Sequence, residues 1–476
     1  MKIAVLNGSP KGDMSVTMQY AHYLAQQFPA HTFTDLNVCS RIHALEKDRS
    51  AFDEVIETVR ESDMVLWAFP LYVFLVHGNY KRFIELVSER NAADAFAGKY
   101  AAAISTSIHF FDHTAHNYIR GVAEDMGMRY VSFYSAHMRD LLDKEKRASF
   151  RHFFTSVLDA AENQRPTSRL YAPLDYAPPV FEPSDDRYAP IDPAGQKVLV
   201  IADGLADHGN LRRMVDRFRS FYAEAVEVID LADIKLLGGC QGCLKCAIRN
   251  TCAYDGKDDV RPIYEERIGH ADIVIFALPM TDRFFSARFK NFTDRRFFRT
   301  HQPQMVGKQV VYLISGPVSR EKNLEEIVRC FTEFDGAHLT DIVSDEPQNA
   351  GSLDALLYDT ARRALDNAAA GYHPPVTCRG LSAQKIFRDD IWGALRFPFR
   401  ADHRYYRRHG MYDFPQRDIG ARIRNAAMAV LSAIPPVRNG IERDMKKYMI
   451  ISYQHILTPK AKASTGGKNA KETAAT

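Results

Sequence analysis

The chain has 476 residues, too many for one ordinary domain, so two or three are expected. An apolar fraction of 46% and a charged fraction of 25% are those of a soluble globular protein with ample material for packed cores. A net charge of only +3 excludes a general electrostatic argument for nucleic acid, and no nucleic-acid partner is expected.

Met1 and Lys2 lead straight into the strand-like run IAVLN, without the pattern of a signal peptide, so the cytoplasm is the expected compartment. Over the first 165 residues, strands are predicted at 2–8, 31–37, 63–70, 99–106 and 129–137. Helices are predicted between and after them, at 15–28, 50–62, 78–90, 114–127 and 144–162. Nearly continuous apolar runs such as MVLWAF suit a parallel sheet covered on both faces. Strict alternation of strand and helix predicts a doubly wound sheet, and pattern alone allows either the dinucleotide order or the order 2-1-3-4-5.

Residues 166–195 hold seven prolines and few apolar runs, which reads as an extended linker. Beyond it the first pattern returns. KIAVLNG (2–8) resembles KVLVIADG (197–204) at an offset of 195, and SDMVLWAFPLY (62–72) resembles ADIVIFALPMT (271–281) at an offset of 209. The offset changes once, by fourteen residues, where the second copy carries the segment CQGCLKCAIRNTC. Residues 1–165 and 196–373 are therefore expected to be one fold used twice, with a cysteine-bearing insertion in the second. From 374 to about 457 a helical extension is expected, and from Arg379 to Lys460 it carries 16 Lys+Arg against 7 Asp+Glu. Such a stretch reads as a solvated helical face or as a peripheral membrane or partner contact. Its longest uncharged apolar run, NAAMAVLSAIPPV, is too short to span a membrane. Residues 458–476 lack apolar content and are expected to be disordered.

Two segments carry chemistry. NGSPKGDMSVT (7–17) follows the first strand and opens the first helix, where free backbone N–H groups and short hydroxyls make an anion site. It fits neither the six-residue glycine fingerprint nor the lysine-bearing P-loop, so a mononucleotide phosphate suits it better. Ser9, Ser15 and Thr17 supply hydroxyls, although Ser15 also fits a plain helix cap. Two more loops leave strands at the same sheet edge: FPLYVFLVHGN (69–79), with Tyr72, Phe74 and backbone at Pro70 and Leu71, and STSIHFFDH (105–113). A phosphate cradle beside an aromatic, backbone-rich loop describes a flavin mononucleotide (FMN) pocket. His109 and His113 in the third loop read as surface residues. At the equivalent positions of the second copy stand Gly204, Asn210, Arg212 and Thr281 in place of Ser9, Ser15, Thr17 and Tyr72. That pattern favours flavin in the first copy, although Arg212 could still pair with a phosphate.

The other segment places Cys240, Cys243, Cys246 and Cys252 within thirteen residues. Two-residue steps between thiolates suit a four-iron cluster, four thiolates also suit zinc, and free thiols remain a third reading. Cys39, Cys330 and Cys378 are isolated and read as ordinary buried residues.

LNGSPKGDMSVT with FPLYVFLVHGNYKRFIE resembles the NADPH-dependent FMN reductase branch of flavodoxin-like proteins. The second copy, with its cysteine segment ahead of ALPMTDRFFSARFKNFTDR, is similar to the iron-sulfur flavoproteins of the same superfamily. The resemblance implies two tandem flavodoxin-like, doubly wound, parallel five-stranded sheets plus a mainly helical C-terminal extension. It implies an FMN site at Ser9, Lys11, Ser15, Val16, Thr17, Pro70, Leu71, Tyr72, Val73, Phe74, Ser105 and Thr106. It further implies NAD(P)H as electron donor, a [4Fe–4S] cluster on the four clustered cysteines and an intrachain pseudo-dimer that brings cluster and flavin together. The expected function is an FMN-dependent oxidoreductase passing electrons from a reduced donor to a small-molecule or protein acceptor. Alternatives are a non-catalytic electron carrier that docks a redox partner, or a cofactor-free scaffold.

Overall fold

The short apolar runs pair as parallel strands in two five-stranded sheets. The computed structural model describes residues 1–457 apart from 175, 185, 186 and 348; the expected disordered tail, 458–476, lies outside the described residues. The first copy runs β1 (Lys2–Asn7), α1 (Val16–Gln27), β2 (Thr32–Leu36), α2 (Ile42–Lys47), α3 (Arg49–Arg60) and β3 (Met64–Pro70). It continues with α4 (Gly78–Glu89), β4 (Tyr100–Ser107), α5 (Asp112–Asp125), β5 (Arg129–His137) and α6 (Lys144–Glu162). The second copy runs β6 (Val198–Ala202), α7 (Gly209–Ser220), β7 (Glu227–Asp230), α8 (Cys246–Arg249) and α9 (Val260–Pro262). It then adds β8 (Ile273–Pro279), α10 (Ala287–Arg295), β9 (Gln309–Ser315), α11 (Lys322–Phe334), β10 (His338–Ser344) and α12 (Ala350–Ala369).

Strand order is β2-β1-β3-β4-β5 in one sheet and β7-β6-β8-β9-β10 in the other, which settles the choice left open by pattern: both sheets have the flavodoxin-like order. Central strands β3 and β4 are buried on both faces, as their unbroken apolar runs require, whereas the edge strand β2 is mostly open. On one face of the first sheet, Ile3, Val5, Leu66 and Ile104 pack against Met18 and Leu24 of α1 and Phe150 and Phe154 of α6. The second sheet repeats this with Val200, Ile275 and Val311 against Leu211 and Phe218 of α7 and Leu357 and Ala361 of α12. The one helix of the first copy missing from the sequence reading is α2, which has only six residues and no side-chain cap.

The stretch expected as a linker holds no helix or strand among its described residues, but it is bound along its length. Glu124 accepts from the amides of Leu170 and Tyr171 (2.9 and 2.8 Å), Phe181 enters the core of the second copy, and the Ser184 amide donates to Asp354 (2.7 Å). A first compact unit spans Met1–His409 and includes α13 (Cys378–Trp392) and α14 (Arg400–Arg408). Glu333 on α11 fastens the start of α13 by accepting from the amides of Thr377 and Gly380 (2.8 and 3.0 Å). A second unit begins at Gly410; it holds α15 (Ile419–Ser432), capped by Asp418 accepting from the Ala421 amide (2.8 Å), and α16 (Pro435–Leu457).

Where the copies meet, the repeat becomes an isologous interface inside one chain, so the tandem domains form an intrachain pseudo-dimer. Lys81 on α4 and Lys290 on α10 stand at equivalent positions, 0% and 1% exposed. Lys81 Nζ donates to Glu85 one turn on (3.1 Å) and across the interface to Thr281 Oγ1 and Asp282 (3.1 and 3.0 Å). Lys290 Nζ donates to Asp294 one turn on and across to the Tyr72 carbonyl (3.0 Å). The Gly78 amide donates to Asp294 and the equivalent Ala287 amide donates to Glu85, each at 2.7 Å. Gly78 is required by the close approach: a Cβ there would sit 2.8 Å from the backbone nitrogen of Asn291. Burial opposes the charge on Lys81, but Asp282 and Glu85 outweigh it and hold its ammonium above the usual range, whereas at Lys290 burial outweighs Asp294 and lowers it.

Lys81→Ala leaves Asp282 in the interface without its cation and Glu85 with Arg82 alone (3.2 Å), which is expected to cost on the order of 3–5 kcal/mol of stability. Urea unfolding of the purified variant measures this; a loss below about 1 kcal/mol would show that the buried pairs are not what holds the copies together.

Candidate active site

The turn after β1 is shaped before any ligand enters it. Gly8 lies against Tyr80 and Phe69, where a Cβ would meet carbon atoms at 2.8 and 2.9 Å, and Gly12 turns the chain at a φ of +57°. Ser9 is buried; its amide donates to Asn7 Oδ1 (3.0 Å) and its Oγ accepts from the Lys11 amide (3.2 Å). Ser15 caps α1, its Oγ accepting from the Met18 amide (3.1 Å), as the helix-cap reading expects. Thr17 is fully buried and shares a 2.7 Å hydrogen bond with Thr106 Oγ1 at the end of β4. As first-turn positions, the amides of Val16 and Thr17 have no carbonyl one turn back to bond, and the helix dipole adds its positive end.

The second loop is a strained turn. Tyr72 and Leu75 exchange backbone hydrogen bonds (2.8 and 2.9 Å) around Val73 and Phe74, both non-glycine residues at positive φ (37° and 65°). The second copy holds that turn in place through Lys290 on the Tyr72 carbonyl. His77 packs edge-on to the Tyr72 ring at 4.6 Å. Its Nε2 faces the carbonyl of Cys240 at 2.7 Å, so that nitrogen carries the proton; Nδ1 accepts from the Asn79 amide (3.0 Å). Burial lowers the pKa of His77, consistent with a neutral ring.

These loops border a cavity of about 240 Å³. Nine of the residues expected from sequence line it: Ser9, Lys11, Ser15, Val16, Thr17, Pro70, Leu71, Tyr72 and Thr106. Three do not. Val73 sits in the turn, Phe74 packs among Phe110, Phe111, Phe331 and Phe334, and Ser105 Oγ turns to His116 Nε2 (2.8 Å). His109 pairs with Asp112 (3.0 Å), and neither it nor the exposed His113 lines the cavity.

The remaining wall comes from parts of the chain that the sequence reading left aside. Gly242 and Leu244 of the cysteine segment, Phe297 and His301 after α10, and Phe387, Leu395 and Phe399 of the extension all line it. Gly242, at a φ of +62°, presses on Tyr72 and Lys11 so closely that a Cβ would lie 2.7 Å from the Tyr72 hydroxyl. For Gly242 and Leu244 the expected approach of the cysteine segment was a hint; for the rest it was the density of aromatic residues in RRFFRTH (295–301) and RFPFR (396–400).

The cysteines themselves are not drawn into a ligand set. Cys243 is exposed, Cys246 is buried, Cys240 and Cys252 are half-buried, and burial pushes the thiols of Cys240 and Cys246 up to about 12. Among the described residues, no group of three or more His, Cys, Asp or Glu side chains is arranged to hold a metal ion, so the donor set in this arrangement does not fit a cluster. Of the isolated cysteines, Cys39 and Cys330 are buried as expected, whereas Cys378 is exposed at the start of α13.

The equivalent cleft of the second copy, about 640 Å³, has lost its anion cradle. The amides of Gly204 and Leu205 donate to Asp230 (2.7 and 2.8 Å), so a carboxylate of the chain takes both and sets a negative charge at this turn. Asp203, Asp207, Glu46 and Glu85 line the cleft, with Arg288 paired to Asp203 (2.9 Å) and Arg82 to Glu46 and Glu85 (2.7 and 3.2 Å).

The family model for NADPH-dependent FMN reductases matches the chain twice, over residues 1–138 and 196–335. The chain belongs to that family. This FMN reductase is a flavin oxidoreductase, and FMN and NAD(P)H are the cofactors its family supports. Among solved structures, an NADH:FMN oxidoreductase in its apo form is 20% identical over 34% of this chain and 89% of its own (TM-score 0.29). The NAD(P)H:acceptor oxidoreductase FerB of Paracoccus denitrificans is 20% identical over 34% of this chain and 97% of its own (TM-score 0.29). An FMN-dependent NADH-azoreductase from Bacillus anthracis, in complex with FMN, is 15% identical over 34% and 98% (TM-score 0.26). No match was found among curated proteins.

FMN fits the cradle of this reductase on the structure's own terms: buried hydroxyls at Ser9, Ser15 and Thr17 border the cavity, and the helix presents its first-turn amides to it. The wall behind the cradle gives a stability test. His116, 1% exposed, stacks on Phe133 (4.1 Å), and burial lowers its pKa to about 3. The unfolded chain takes up this proton below about 6.5 and the folded chain does not, so stability should fall as pH drops from 6.5 toward 3, by at most about 1.4 kcal/mol per pH unit. His77, also lowered, adds a slope of the same sign. Urea titrations between pH 7 and 5 should show a smaller slope in His116→Gln than in the parent.

Proposed function

We propose that the protein is an FMN-dependent NAD(P)H oxidoreductase working from one flavin, held in the first copy. The observation that carries this reading is the contrast between the cradles: the hydroxyls of Ser9, Ser15 and Thr17 border the cavity of the first, and the turn amides of the second are taken by the carboxylate of Asp230. Ser9, Ser15, Thr17 and the first-turn amides of α1 would hold the phosphate, with Lys11 as a nearby cation. Pro70, Leu71 and Tyr72 would lie along the ring, and Gly242 and Leu244 would close its far side. The chemistry supplied by bound FMN would be two-electron uptake from a nicotinamide carrier and release of electrons singly or in pairs. The chain's own part is to orient the ring, exclude water with an apolar wall and keep acidic side chains away from the phosphate.

A finer reading is that Cys240, Cys243, Cys246 and Cys252 would hold a [4Fe–4S] cluster, able to supply one-electron transfer, only after rearranging from the positions seen here. Its support is the spacing of the cysteines and the position of Gly242 and Leu244 at the cavity wall, both in the segment that carries them.

Ser15→Asp tests the flavin site, because aspartate keeps the helix cap while placing a negative charge in the cradle. The expected result is at least a roughly 100-fold loss of FMN affinity, equivalent to about 2.7 kcal/mol, with the melting temperature nearly unchanged. FMN binding equal to that of the parent, followed by flavin fluorescence, would move the cofactor elsewhere. For the cluster, iron and acid-labile sulfide are measured on anaerobically purified protein: about four irons per chain support it, and flavin without iron overturns it.

A further inference from the structure

The wall of the cavity opposite the first copy is aromatic, and it holds one ionisable side chain. His301, in the turn after α10, lines the cavity together with Phe297, Phe387 and Phe399. The imidazole stacks on Phe387 (4.1 Å, 28°) and meets Phe399 and Phe297 edge-on (4.8 and 5.2 Å). Three rings thus fix its plane. Its Nδ1 faces Asp402 Oδ2 at 2.8 Å, and Asp402, on α14, is 0% exposed. Asp402 also accepts from Thr300 Oγ1 and from Gln302 Nε2 (3.1 Å), and Tyr406 of the same helix donates its hydroxyl to the His301 carbonyl (2.9 Å). Since a carboxylate only accepts, Nδ1 carries a proton, and Nε2 is the nitrogen left to serve the cavity.

We propose that His301 is the acid that protonates the electron acceptor, that Asp402 is its positioning residue, and that the aromatic chamber built by the extension is the acceptor's binding site. This rests on the flavin reading, since the electrons reach the chamber from that side. The acceptor class follows from the walls: a flat, uncharged molecule whose oxygen must gain a proton as it is reduced. A quinone is the simplest case. Its conversion to hydroquinone takes two electrons and two protons and forms two O–H bonds. NAD(P)H supplies both electrons and one proton, as a hydride equivalent passed by way of the flavin. The other proton leaves Nε2 of doubly protonated His301, breaking N–H and forming O–H at the acceptor, and water then restores it to the ring. Both residues lie outside 1–138, and Asp402 lies outside both stretches matched by the family model, so the family does not account for the pair.

The test compares two acceptors on the flavin-loaded full chain: menadione, which needs protons, and ferricyanide, which takes single electrons and no proton. In His301→Ala the ratio of menadione to ferricyanide turnover should fall about 100-fold, the usual scale for losing a general acid, and added imidazole should restore part of it. Asp402→Asn should lower kcat for menadione while leaving its KM within about twofold, because it orients the acid and does not touch the acceptor. Equal losses for both acceptors, or no loss for either, would overturn the proposal. A second readout does not depend on turnover. With 13C-labelled histidine, the His301 signal, assigned by its absence in His301→Ala, should shift when menadione is added to the oxidised protein, and an unmoved signal would also overturn the proposal. Failure of the flavin reading is recognised separately, by missing flavin absorbance, and the histidine signal then still decides whether the chamber binds menadione.

Discussion

The fold of this protein turns on two buried lysines facing each other's domain. Lys81 and Lys290 each bond a carboxylate one turn along their own helix and then reach across to the loop after the third strand of the other copy. Charges of this kind cannot be withdrawn from their partners without leaving an ion stranded away from water. The contact therefore favours one register of the two copies over others. Because α4 and α10 are locked in one register, the cysteine segment comes to rest on Tyr72 and Lys11, and the turn around Val73 and Phe74 keeps its strained shape. The geometry of the flavin cavity is thus set partly by the domain that does not carry the cradle.

Much of the architecture could be read from the chain. Every expected strand of the first copy is present within a residue at either end, because each is an uninterrupted apolar run between helical patterns. The elements of the second copy follow at the two offsets of the repeat, for the same physical reason. That Ser9, Ser15 and Thr17 line one cavity was legible too, since they belong to a local motif in which sequence spacing and spatial spacing are nearly the same thing. The far end was not. Gly242, His301 and Phe387 reach the cavity only through tertiary packing, and nothing in a single sequence says which helix of an extension will lie over which sheet edge. Phe74 and Ser105 show the opposite error: they sit in the right loops, but the backbone turns them toward the protein interior.

The cysteine segment illustrates a limit of motif reading. Its spacing suggests metal binding, yet in the fold its glycines do as much as its thiols. Gly239 and Gly242 let the chain pass close to His77, Tyr72 and Lys11, where any side chain would collide. The carbonyl of Cys240 accepts from His77, so even the first cysteine takes part in the contact through its backbone.

Joining the two copies in one polypeptide also changes what selection can do to them. In an assembly of identical subunits every replacement is made twice, so an aspartate that blocks one phosphate turn blocks the other. Here the carboxylate of Asp230 takes the amides of one turn, while the other turn is tied by the neutral Asn7 and keeps its hydroxyls at the cavity. Covalent linkage has broken that symmetry: one half keeps the pocket, and the other is released to serve as its wall.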